Sequence, residues 1–168
     1  SPDNPLWSQI YNLNGNGKYV MVASGIISSS GYNPAEPFGI SFYTAGREVA
    51  AEMTNTDMLV FHGSTDAPTV DIFEVTAGQL IDNLSYGSFA GYIPLPTADY
   101  SIQVRNEAGT DVVAQYGAPL QTLGLDGEAI TVVASGFLDP NNNSGGPAFG
   151  LWVALTSGGP LVELPSEP

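Results

Sequence analysis

The tetrapeptide Val22-Ala23-Ser24-Gly25 recurs as Val133-Ala134-Ser135-Gly136, and Phe38-Gly39-Ile40 recurs as Phe149-Gly150-Leu151. Both pairs keep an offset of 111 residues, with no gap between the anchors. Self-similarity at a fixed period constrains the fold strongly, because each copy must be the same structural unit. A period this long marks an array of domains and not a solenoid of short repeats. Upstream, Pro5-Leu6 matches Pro119-Leu120 after a three-residue shift. A chain of 168 residues then holds one whole copy preceded by half of another. The expected organisation is the C-terminal half of a first repeat over 1–50, a linker over 51–56 and a complete second repeat over 57–168. Residues 47–52 are the only stretch that could pass for a helical turn, and they read better as linker or strand end.

The copies are written in β pattern. Tyr100, Ile102 and Val104 alternate with Ser101, Gln103 and Arg105, a period of two with one face buried. Ile40 and Phe42 alternate with Ser41 and Tyr43 in the same way, and Leu151, Val153 and Leu155 form a third such face. The apolar runs Met58–Phe61 and Ile130–Ala134 read as central strands. Clusters of Gly, Pro, Asn and Asp punctuate the chain at sandwich-like spacing. No segment sustains a 3.6-residue period. The expected fold is all-β: an antiparallel β-sandwich, immunoglobulin-like or related, in tandem.

Charge excludes whole classes of partner. The chain carries 17 acidic and 3 basic residues, a formal net charge of −14. Nucleic-acid binding needs a basic footprint to displace counterions, and Lys18, Arg47 and Arg105 do not make one. Anionic membrane surfaces repel such a chain for the same reason. No apolar run is long enough for a membrane-spanning helix. Cysteine is absent, which removes disulfides, thiolate metal sites and cysteine nucleophiles together. With one Lys and many Gly, Ser, Thr and Asn, the composition is that of a bacterial or archaeal surface protein. The expected location is extracellular or at the cell surface.

The segment His62-Gly63-Ser64-Thr65-Asp66-Ala67-Pro68-Thr69-Val70-Asp71, with Met58–Phe61 before it and Ile72-Phe73 after, resembles the opening of the domain-of-unknown-function 4397 family. Gly63 and Thr65 stand where that family usually has Ala and Pro. Leu84–Phe89, Tyr92–Pro96, Tyr100–Val104 and Thr131–Gly136 resemble its later landmarks. The likeness covers about 57–165, and 17–45 through the repeat. It implies a secreted or cell-surface β-sandwich, often in tandem copies, with no established enzyme activity.

Several residues invite chemistry. His62, Ser64, Asp66 and Asp71 suggest a hydrolase, but a triad needs a base that reaches the nucleophile and a group that orients the base. Three of these four lie within five consecutive residues, and such neighbours rarely converge on one reacting atom. Asp66, just before Ala67-Pro68, reads as an Asx-type turn former, and His62 as a strand-end residue bonded to a carboxylate or backbone group. No pair among the acids is singled out for glycoside hydrolysis. The chain is therefore read as non-enzymatic. Asp139, Asn141 and Asn143 alternate like the first ligands of a calcium loop, making calcium the one cofactor to consider. The series has a single carboxylate, and Gly150 stands where a bidentate Glu would close it. Asn83 and Asn142 head N-x-Ser sequons and are candidate glycosylation sites.

A half sandwich must cover its apolar face and its open strand edge. Ile26, Ile40, Phe42, Tyr43 and Trp152 are the candidate interface residues, the last two by lying on the outward side of their strands. Cover can come from the chain's own complete repeat, from strands of another molecule, or, if the chain is a fragment, from the rest of the first repeat. The function expected first is a structural or adhesive surface protein, a filament or surface-layer subunit that assembles by strand complementation and self-association. The alternative is a module that binds carbohydrate or other surface proteins, with calcium as an aid.

Overall fold

The computed structural model describes residues 5, 7–28 and 30–168. Leu6, half of the shifted Pro5-Leu6 match, lies outside them. The described chain forms strands β1 (Val20–Ser24), β2 (Gly39–Tyr43), β3 (Asn55–His62), β4 (Val70–Glu74), β5 (Gly78–Leu84), β6 (Phe89–Pro96), β7 (Asp99–Asn106), β8 (Val112–Pro119), β9 (Ala129–Ser135), β10 (Gly150–Leu155) and β11 (Val162–Glu163). A 3-10 turn, Pro140–Asn142, is the only helical element among the described residues.

Two sheets face each other. One has the order β11-β10-β9-β3-β6, the other β5-β4-β7-β8. Their inner faces meet in a core that includes Met58, Val60, Ile72, Val104, Val132 and Val153. The alternation of Ile102 and Val104 buries both, with Tyr100 packed beside them. All strand pairs are antiparallel except one: β9 runs parallel to β3, from Asp57↔Ala129 to His62↔Ala134. A parallel neighbour needs a long crossover, and here the intervening chain builds the whole second sheet. The C-terminal residues close one side of the sandwich: Gly117 donates to the Pro165 carbonyl, Glu167 donates to Gln115, and Leu164 enters the core.

The hairpin β1–β2 forms a third layer, on the outer face of the five-stranded sheet. Its register, from Val20↔Tyr43 to Ser24↔Gly39, repeats that of β9–β10 residue for residue at the 111 offset. The loops match as well. Ile26 donates to Glu36 and Phe38 to Ile26, as Phe137 donates to Pro147 and Phe149 to Phe137. Gly25 and Gly136 both have positive φ, at 90° and 85°. A Cβ at either would lie 2.3 or 2.2 Å from a carbonyl oxygen of the facing strand end, so the recurring glycine is a steric requirement.

This third layer explains β3. From Thr56 to His62 every residue is buried. Met58, Val60 and His62 face the second sheet. Asp57, Leu59 and Phe61 point the other way and are still fully buried, because the hairpin layer and its connection cover them. A strand covered on both faces reads as a continuous apolar run. Of residues 51–56, expected as linker, Asn55 and Thr56 already belong to β3, and the Thr56 hydroxyl is buried against the Leu125 carbonyl. Ala50 is also buried and donates to Gly127.

Candidate functional site

The His62 cluster forms no relay. His62 Nε2 lies 2.9 Å from the Pro68 carbonyl and Nδ1 has no partner. Burial holds the imidazole below its ordinary pKa, against the opposing effect of the Pro68 bond. Ser64 donates instead to Gly136 and Asp66. Asp71 accepts from Asn83 N–H and from the Gln79 amide. Asp66 closes no turn of its own. Its carboxylate takes the N–H groups of Leu138 and Asp139 and the amide of Asn143, tying the β3–β4 loop to the β9–β10 loop. The nucleophile has no base and the base has no orienter, so the geometry is that of a structural knot.

The β9–β10 loop spends its oxygens inside the chain. Asp139 accepts from the backbone N–H and the side-chain amide of Asn142. Asn143, fully buried, gives its carbonyl oxygen to Asn33 N–H and its amide to Asp66 and Asp139. Asn141 is exposed. Among the described residues no group of three or more His, Asp or Glu side chains is arranged to hold a metal ion. The two sequon residues, Asn83 and Asn142, are both exposed.

Four of the five candidate interface residues are engaged within the chain. Tyr43, expected on an outward face, packs on Phe89 and Tyr92 with ring centroids 5.5 and 5.9 Å apart. The reason is the added layer: what is outward for a lone sandwich is here the inner face of the hairpin. Phe42 turns away and is sandwiched by Tyr11 and Tyr19. Ile40 lies on the same side, where its carbonyl accepts from the Tyr11 hydroxyl. Ile26 bridges to Pro37 across its own loop. Trp152 is the exception, half-buried on the outer face of β10 with the hairpin alongside rather than on top.

That arrangement leaves a trough. β2 sits over β6, where Tyr43 packs on Phe89 and Tyr92, Ser41 donates to the Gly87 carbonyl in the loop before β6, and β1 follows over β3 and β9. Beyond β1 no described strand continues the layer. A groove of 670 Å³ opens there, between the free edge of β1 and a floor of Thr131, Val133, Trp152 and Ala154, with Leu161 at its margin. Smaller hollows at its two ends share its walls, so the trough runs the length of β1. Lys18 and Arg47, two of the three basic residues, stand at the Val20 end.

An ion pair fastens the layer. Asp57 is fully buried and takes the Arg47 guanidinium and the Ala51 N–H on one oxygen. Arg47 also lies 4.7 Å from the Tyr92 ring centroid, and its N–H donates to the Tyr92 hydroxyl. Sequence reasoning missed this clasp and the trough. An aspartate inside the apolar run of β3 was the available signal, since a buried carboxylate requires a partner.

The fold and groove define a layered all-β module in which, among the described residues, the β1 edge of the outer layer stands open above the trough. The chain belongs to the family described as domain of unknown function DUF4397, whose model matches residues 56–144, from β3 to the loop before β10. No curated protein and no solved structure matches it.

Proposed function

We propose that the chain is a non-enzymatic, extracellular structural or adhesive module that assembles into a filament or surface layer by accepting a strand from another molecule. The observation that carries this reading is the unpaired edge of β1 above an apolar floor. An open edge beside apolar surface is a template for strand addition. A contact of that kind is head-to-tail, and repeated without closure it makes a fibre. The absence of cysteine and the charge of −14 suit an exposed, soluble surface protein.

Light scattering on the 1–168 chain across a dilution series tests this. A ladder of species above 17.5 kDa is the expected result, and a monomer at every concentration overturns it. A second reading, a carbohydrate- or protein-binding module, is favoured by Trp152 alone, whose partly exposed side chain offers a stacking surface. In that case a glycan panel raises the melting temperature and Trp152→Ala removes the effect.

A further inference from the structure

We infer that the trough accepts an extended strand of β3 type, running parallel to β1; this deepens the assembly reading above, in which that strand is the contact made. The two hairpins carry the argument. β1–β2 and β9–β10 share register, glycine and loop bonds at the 111 offset. On the edge where β1 is open, β9 is paired with β3, in parallel. The same backbone therefore displays, in the second copy, the kind of partner for which no described strand stands beside β1.

Carrying the β3–β9 register across by 111 residues sets an incoming strand against residues 18–23. The residue in the place of Asp57 then falls opposite Lys18, in the place of Ala129. An aspartate there meets Lys18, one of three basic residues, in competition with the exposed Glu48 carboxylate that pairs with it in this structure. The residues in the places of Met58, Val60 and His62 and those in the places of Leu59 and Phe61 take opposite faces. One set lies on Val133 and Trp152.

The outer face of β9 and β10 extends beneath the open position. A strand added beside β1 lies about 4.8 Å from it, over that floor.

The probe is a synthetic peptide with the sequence of residues 55–63 and C-terminal lysines for solubility, added to the full 1–168 chain. The expected result is saturable binding with slowed amide exchange at residues 20–24. Trp152→Ala weakens it by about tenfold, a loss typical of removing a central aromatic contact. Lys18→Glu weakens it about two- to fivefold, as an exposed ion pair allows. Orientation is read by thiol–disulfide exchange, which the cysteine-free chain makes unambiguous. A peptide with a pyridyl-disulfide cysteine in the place of Asp57 is captured by Lys18→Cys if the strand is parallel and by Ala23→Cys if it is antiparallel over the same span. The latter overturns the inference, as does unchanged exchange at 20–24.

Failure of this inference and of the assembly reading are distinguishable. A chain that stays monomeric but binds the peptide keeps the acceptor site and loses self-assembly. A chain that assembles with residues 20–24 still exchanging freely, and with no competition from the peptide, keeps assembly and loses this site.

Discussion

The hairpins β1–β2 and β9–β10 have one backbone and two environments. Ile40 and Leu151 occupy equivalent positions, as do Phe42 and Val153. Leu151 and Val153 are buried in the core between the sheets, at 3% and 0% exposure, while Ile40 and Phe42 are half-buried under the N-terminal aromatics. β9 has strands on both sides and β1 on one. Repeated sequence thus sets local geometry, and neighbours decide how much that geometry is stabilised. Core burial of a leucine is worth several times the half-burial of an isoleucine, because the buried area scales the transfer energy and a sealed cavity adds to the loss.

The largest difference follows from that pair. Leu151→Ala should cost about 2–5 kcal/mol of global stability in denaturant titration, and Ile40→Ala about 1 kcal/mol. Amide exchange sharpens the contrast: β1 and β2 should open in a sub-global step while β9 exchanges only on global unfolding. Equal losses at the two positions, or equal protection of the two hairpins, would break the comparison.

The clasp between the layers comes next. Arg47→Ala leaves Asp57 buried without its cation. Breaking a buried pair costs about 3–5 kcal/mol. Arg47 is itself 43% exposed and water can partly replace it, so about 2–3 kcal/mol is expected. The loss should appear first as faster exchange in β1 and β2. Asp57→Asn in the Arg47→Ala background should recover part of it, since the orphaned charge is gone.

A smaller effect distinguishes the sandwich from its outer layer by pH. His62 faces the inter-sheet core, and its folded pKa lies below the ordinary 6.5. The unfolded chain therefore binds the proton better. This contribution is complete above about pH 6.5 and is lost as pH falls below it, by at most about 1.4 kcal/mol per unit. Denaturant titrations at pH 7.5, 6.5 and 5.5 should show the decline, and His62→Leu should flatten it between 6.5 and 5.5.

How much of this was legible depended on the range of the interaction. Period-two alternation around Ile102 and the runs at β3 and β9 expose themselves in sequence, because burial is written directly into residue type. The recurring glycine before each loop is legible too, since Gly25 and Gly136 answer a local steric demand. For Tyr43, alternation gives the side of the strand and not what lies against it, which here is Phe89 and Tyr92. The roles of Asp57 and Asp66 were hidden for a related reason. Their partners, Arg47 and the Leu138–Asn143 loop, are brought to them only by the added layer and by the return of β9.

The smallest expected effect concerns the two loops that follow the recurring glycines. Asp139, Asn141 and Asn143 have calcium-like spacing, while the matching positions of the first copy are Ser28, Ser30 and Tyr32, none of them a carboxylate. In the fold the two loops hold each other. Asn33 donates to Asn143, Ser144 donates to the Gly31 carbonyl, and the rings of Tyr32 and Phe137 lie 5.8 Å apart. A calcium ion would have to displace N–H donors from Asp139 and Asn143 to gain one carboxylate and neutral oxygens, far short of the six to eight ligands it takes. Millimolar calcium should therefore shift the melting temperature by less than about 1 °C, since stabilisation requires a ligand concentration above its dissociation constant. A larger shift, abolished by Asp139→Asn, would show that the ion separates the loops, and the contact between the two copies would then be a calcium-dependent one.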